Sequence, residues 1–192
     1  MSKWTKETFK DYWRGKDAFK YWNKEWQVNE DSYLNEFGQV LTALRKFGWY
    51  SLLELGCGTG KNLREIRKSF PNNQVMGFDI NNNFLEEARR HKLRVRQIDS
   101  EHFKLGKTVD VILCYEHLQH LHPEAFKNTV KQIKANGCAV VIYEGFNGYD
   151  ESVLKAGRGG RWSYDYKKYF PDIRFKKIDW DKNYILLVSD LP

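Results

Sequence analysis

The stretch LLELGCGTGKN, residues 52–62, runs a buried-looking apolar strand straight into three alternating glycines and then into a helix opening. Glycines at such a junction permit a tight turn and let the backbone approach a ligand closely. A glycine turn alone is a weak signal, because any strand-to-helix connection can use one. Two acids sharpen it. GFDIN puts Asp79 at the end of the next strand, where a carboxylate can accept both hydroxyls of a ribose, and RQIDS puts Asp99 at the end of the strand after that. Each acid alone would serve equally well as a helix N-cap or turn residue. Three such features at successive strand ends point to a nucleoside site, since ligands of open parallel sheets bind beyond the carboxyl ends of the strands.

The surrounding pattern supports a sheet of this kind. SLLELG, QVMGFDI, LRVRQID, VDVILCY and CAVVIYEG read as strands, and they alternate with the amphipathic segments KNLREIRKSF, NNFLEEARRH and PEAFKNTVKQIKANG. Strands separated by helices imply parallel pairing with crossover connections. The closing segments IRFKKIDW and NYILLVSD, joined by the Asp181 to Asn183 turn, follow a short helix YDYKKYF and add an antiparallel edge. Before the first strand, Leu34, Phe37, Val40, Leu41, Leu44 and Phe47 recur at spacings of three and four, the mark of one buried helical face, and Gly48 closes that helix. Residues 1–48 are expected to form a helical N-terminal cap and residues 49–192 the core of a single domain.

Composition sets limits on partners. With 192 residues, 41% of them hydrophobic and 16% aromatic, one well-cored domain is expected and a second is not. No run of eighteen apolar residues occurs, and the charged start MSKWTKETFKDYWRGKD lacks a signal-peptide core, so a cytoplasmic protein with no membrane partner is expected. Cys57, Cys114 and Cys138 form no CxxC pair and read as small buried residues. The 32 basic against 25 acidic residues give a net charge of +7, which favours anionic partners without choosing among them.

The glycines alternate as G-x-G-x-G after Glu54, which departs from the G-x-G-x-x-G dinucleotide pattern. In order and spacing, LELGCGTGKN, GFDIN, RQIDS and DVILCYEHLQHLHPE resemble the motifs of the class I S-adenosylmethionine-dependent methyltransferases, over roughly residues 50–188. The resemblance implies a Rossmann-like α/β fold with a seven-stranded, mostly parallel sheet in the order 3-2-1-4-5-7-6, helices on both faces, and S-adenosyl-L-methionine as cofactor. It implies that Glu54, Gly56, Cys57, Gly58, Gly60 and Asn62 surround the methionine portion. Asp79 with Ile80 would hold the ribose, Asp99 the adenine amino group, and Ser100 and Glu101 would flank the adenine. Tyr115 would stand at the cofactor as well.

CYEHLQHLHPE, residues 114–124, is then the loop that leaves the fourth strand toward the methyl group. His117, His120 and His122 offer three nitrogens, but no Cys, Asp or further His stands beside them to complete a metal site, and no metal is expected. HLHP matches the family's turn at this place, which makes His120 the first candidate to face the acceptor, as a general base or as an orienting partner. Packing or capping the loop is its competing role. Glu116 and Tyr115 are further catalytic candidates. Trp22 in the aromatic N-terminus, His117, and Arg158, Arg161 and Trp162 in a glycine-rich loop are the candidates for substrate contact.

The absence of [DN]-P-P-[YF] and of Pro-Cys after the fourth strand disfavours DNA-base methylation. A weaker resemblance, to small methyltransferases associated with pseudaminic acid and other sugar biosynthesis, implies a sugar or nucleotide-sugar acceptor; the expected reaction is transfer to an oxygen or nitrogen of a small, sugar-type or anionic acceptor, by a monomer or homodimer. An RNA or protein methyltransferase is the alternative among enzymes. Outside enzymes, the alternative is a non-catalytic module that binds the nucleoside cofactor.

Overall fold

The computed structural model describes residues 6–20, 30–46, 48–105, 108–136, 138–145, 162, 164–171, 173–179 and 184–189. The core is a seven-stranded sheet of β1 (Ser51–Leu55), β2 (Gln74–Asp79), β3 (Val95–Gln97), β4 (Val111–Tyr115), β5 (Ala139–Gly145), β6 (Ile173–Asp179) and β7 (Tyr184–Ser189). Its order is β3-β2-β1-β4-β5-β7-β6, as the resemblance to the class I methyltransferases implies. Strands β1 to β5 pair in parallel, with Leu53 opposite Met76 on one side and Ile112 on the other, whereas β7 runs antiparallel between β5 and β6.

The helices described are α1 (Lys6–Arg14), α2 (Glu30–Leu44), α3 (Lys61–Ser69), α4 (Asn82–Arg90), α5 (Pro123–Ala135) and the single turn α6 (Tyr166–Tyr169), together with a helical stretch at residues 16–20. Among the described residues no helix is long and apolar enough to cross a membrane.

The continuous apolar runs of the strands follow from burial on both faces. The two-residue period divides them: Leu52, Val111, Leu113, Val141 and Tyr143 meet α2, α3 and α4, whereas Leu53, Leu55, Ile112, Cys114 and Ile142 meet α1 and α5. Each helix contributes residues at helical spacing, Phe37, Val40 and Leu44 from α2 and Phe126, Val130 and Ile133 from α5.

Two expectations shift. The α2 stripe runs through Phe37, Val40 and Leu44, but Leu34 is 45% exposed, so the buried face is narrower than its spacing suggested. The helix also ends at Leu44 instead of running to Gly48, and Trp49 folds back so that its Nε1 donates to the Leu44 carbonyl at 3.1 Å. That bond satisfies one of the carbonyls a helix end leaves open.

Candidate functional site

A pocket opens beyond the carboxyl ends of β1, β2 and β4. Gly56, Cys57, Gly58, Asn62, Asp79, Ile80, Asp99 and Ser100 line one side, and Tyr115, Glu116, His117 and His120 the other.

The glycine loop is shaped by its own backbone. Gly56 and Gly58 have φ of 69° and 52°, in the left-handed region that side chains disfavour. A Cβ on Gly56 would lie 2.2 Å from His117 Nδ1, whereas one on Gly58 would meet nothing within 4 Å. Gly56 is therefore required by the protein's own packing, and Gly58 leaves open backbone facing the pocket. Both Gly56 N and Cys57 N donate to the Phe78 carbonyl, at 2.8 and 3.0 Å, fixing the loop on β2. Gly58 N and Asn81 N donate to the two oxygens of Asp79 at 2.9 and 2.8 Å. Burial nevertheless pushes the Asp79 carboxyl up to about 6, those backbone bonds only partly offsetting it.

Glu54 and Asn62 lie deeper. Asn62 Nδ2 donates to Glu54 Oε1 at 2.5 Å, and Tyr33 Oη from α2 donates to Asn62 Oδ1 at 2.7 Å. The Glu54 side chain is fully buried, which pushes its carboxyl up to about 8. It stands under the loop, so its contribution is to brace Asn62 and the turn. Gly60 likewise lies behind the pocket surface.

Asp99 and Ser100 line the pocket, but Glu101 does not, contrary to the expectation that it flanks the adenine. Its side chain is buried and bound by Lys6 at 2.7 Å, by Lys10, and by Asn128 Nδ2 at 3.2 Å. A carboxylate removed from water needs partners of this kind, and α1 supplies them. Lys10 also reaches Asp99 at 2.9 Å. Asp99, Glu101 and His102 lie within metal-ligand reach of one another, and the two carboxylates are engaged by these lysines.

The sequence did not single out α1 residues, yet α1 roofs the pocket with Phe9, Lys10 and Trp13. Its end is tied down by Asn81, whose Nδ2 donates to the Trp13 and Gly15 carbonyls at 2.7 and 3.0 Å. The aromatic density of this segment was the available signal, but it singled out Trp22. Trp22, Arg158 and Arg161 lie outside the described residues. Trp162 is buried against Phe9, ring centroids 4.5 Å apart, and supports the roof from outside the pocket wall, so the substrate contact expected of it is not seen in this placement.

On the acceptor side Glu116 follows β4 with φ of 50°, a left-handed backbone unusual for a non-glycine residue. It turns the chain into a single 3₁₀ turn, Leu118–His120. His120 is buried and packs on Trp13, ring centroids 4.7 Å apart. His117 Nε2 is enclosed, and burial holds its imidazole down to about 4, so the ring is neutral at ordinary pH. His122 also lines the pocket and is the N-cap of α5, its Nδ1 accepting from Glu124 N at 3.4 Å. Tyr115 stacks on Tyr143 at 4.7 Å and is edged by Phe37, which fixes this wall.

The family model described as a methyltransferase domain matches residues 52–137, the segment that holds both loops. Over these residues the chain is similar to a methyltransferase domain. Among curated proteins, a trans-aconitate 2-methyltransferase of Sinorhizobium fredii is 44% identical over 43 residues, which span 22% of this chain and 17% of that protein. Solved structures similar to the whole domain include an amino pentose methyltransferase from Micromonospora echinaspora (TM-score 0.72, 17% identity, 88% of this chain and 96% of that one). A sugar N-methyltransferase from Streptoalloteichus sp. ATCC 53650 superposes with TM-score 0.65 at 15% identity, covering 88% and 92% of the two chains. At such identities the likeness speaks to the fold, which is that of the class I methyltransferases.

Proposed function

We propose that this methyltransferase domain uses S-adenosyl-L-methionine to methylate an oxygen or nitrogen of a small sugar-type acceptor. The observation that carries the reading is a single pocket with Asp79 and open glycine backbone on one wall and His120 on the other. The residues present fit the cofactor: Asp79 suits a ribose diol, Phe78, Ile98 and Phe84 offer apolar surface to a base, and Gly58 admits close approach. When bound, the cofactor supplies a methyl group on a sulfonium, already activated for in-line attack.

The protein's part is then positioning, water exclusion and proton management. Asp79 holds the ribose, and Asp99 is the acceptor for the adenine amino group, sharing its charge with Lys10 of the roof. Phe9 and Trp13 cover the pocket, and on this reading the N-terminal segment serves as a cap on one domain. His120, held against Trp13, orients the acceptor or takes the proton it sheds. His117 shapes the floor beside Gly56, and its neutral ring adds no positive charge next to a sulfonium.

Calorimetric titration with S-adenosylhomocysteine tests the cofactor half of the reading: clear binding, and none of NAD, is expected, and the reverse result would overturn it. A panel of amino- and hydroxy-sugar nucleotides, scored by release of S-adenosylhomocysteine, tests the acceptor half. Turnover of RNA in preference to every sugar would replace it.

A further inference from the structure

The turn that carries His117 and His120 has a local difficulty. A helical turn leaves its first backbone N–H groups without partners inside the turn, and here they belong to a buried segment, with Leu118, Gln119 and His120 between 0% and 7% exposed. An orphaned buried donor costs roughly 1–3 kcal/mol. A partner within the protein has to come from another element.

It comes from the end of β5. Glu144 is fully buried, and its Oε1 accepts from His117 N at 2.8 Å and from Leu118 N at 2.6 Å, while Oε2 accepts from Gln119 N at 3.3 Å. One carboxylate thus caps three successive amides. The residue before it assists, since Glu116 N donates to the Tyr143 carbonyl at 2.7 Å, holding the left-handed residue that begins the turn. Two further bonds hold the far side, Trp162 N to the Gln119 carbonyl at 2.8 Å and Tyr164 Oη to the Leu121 carbonyl at 2.6 Å.

We propose that Glu144 is a positioning residue of the acceptor site, which sets where His120 stands by capping the amides of residues 117–119. An apolar side chain at the end of β5 would avoid the desolvation of a carboxyl but would leave three buried amides without an acceptor. Burial indeed pushes its carboxyl up to about 8, against the pull of the three amides. What the carboxylate supplies, and an apolar residue cannot, is a fixed acceptor for three donors at once. The cap accounts for how a turn carrying a strained residue keeps one conformation. The inference rests on reading His120 as the acceptor-facing group.

The test compares wild type with Glu144→Gln, which keeps the volume but turns an NH₂ toward one of the donors. Three readings are taken on each protein: S-adenosylhomocysteine affinity, hydrogen exchange of the 117–120 amides, and the NMR signals and titration of the His120 ring. Expected are affinity within about threefold, exchange at Leu118 and Gln119 faster by roughly 10- to 100-fold, and a shifted His120 ring against unmoved His91 and His102. Unchanged exchange and an unchanged His120 ring would overturn the proposal. So would a uniform loss of protection across the sheet, which marks a general structural role. Failure of wild type to bind S-adenosylhomocysteine would instead strike the reading of the function. Should Glu144→Gln not fold, Glu144→Asp, which withdraws the carboxyl by one methylene, is read by the same outcomes.

Discussion

The glycine loop and the histidine turn face each other across one pocket and are built by opposite means. The glycine loop is held by close neighbours, its amides on Phe78 and Asp79 of the adjacent strand, and its path is written in glycines. The histidine turn is held by Glu144, Tyr143, Trp162 and Tyr164, all from later in the chain. A ligand common to many proteins can be met by a local motif, whereas an acceptor particular to one protein is met by a turn whose shape the rest of the fold imposes. If that contrast is right, lesions in the two loops should separate cofactor binding from turnover.

The largest separation is expected from His120→Ala. Removing a general base costs on the order of 10²- to 10⁴-fold in rate, whereas S-adenosylhomocysteine affinity should stay within about threefold, because Asp79 and the glycine loop are untouched. Steady-state turnover on an acceptor found by the sugar panel, set beside calorimetry, measures both. Equal losses in the two would remove His120 from the acceptor side. A small loss in turnover alone would leave it an orienting role.

Gly56→Ala attacks the contact between the loops. A left-handed residue with a Cβ costs roughly 1–2 kcal/mol, and the clash with His117 Nδ1 adds an overpacking cost of about 1–3 kcal/mol. Urea unfolding should therefore show a loss of roughly 2–5 kcal/mol. Gly58→Ala is the control: it shares the backbone cost, but no protein atom stands in its way, so it should spare more stability and spend its effect on cofactor affinity. Equal destabilisation by the two would mean that His117 yields easily and does not fix the loop.

The same asymmetry governs what was legible beforehand. The parallel sheet, the pocket's place and Asp79 follow from alternating strands and helices and from acids at strand ends, all short-range patterns, whereas the strand order came from the resemblance to the class I methyltransferases. Glu101 was misplaced because a buried acid looks the same in sequence whether it faces a base or a lysine, and Lys6 and Lys10 lie far upstream of it. Phe9 and Trp13 were not told apart from the other N-terminal aromatics for a similar reason. Nothing in spacing says which aromatic of a helix reaches the pocket until the end of α1 is fixed, and Asn81 fixes it through main-chain carbonyls. Glu144 gave no signal at all, since its partners are backbone amides, which every residue has.

His117 ties acid stability to the floor of the site. Its folded pKa of about 4 lies below the ordinary 6.5, so the fold favours the neutral ring. That contribution is fully present above pH 6.5 and is lost as pH falls through that value toward 4, at most about 3 kcal/mol. His117→Gln has no such proton to take up. Its unfolding free energy, measured by urea at pH 7 and at pH 4, should fall less than that of wild type by up to this amount. Parallel losses would mean that the ring is hydrated in solution.

The smallest effect concerns Asp79, on the wall proposed for the cofactor. A ribose diol donates to the ionised carboxylate, and burial raises this carboxyl to about 6. The sign follows directly: above pH 6 the acceptor form predominates and S-adenosylhomocysteine affinity is flat, and below it affinity declines by up to tenfold per pH unit. Asp79→Asn should lose roughly 10- to 100-fold in affinity at pH 7.5, the worth of charge-assisted hydrogen bonds, and should show no inflection near 6. His120→Ala should keep the inflection, because the histidine lies on the opposite wall. An inflection that follows His120 and not Asp79 would reverse the division of labour between the two loops.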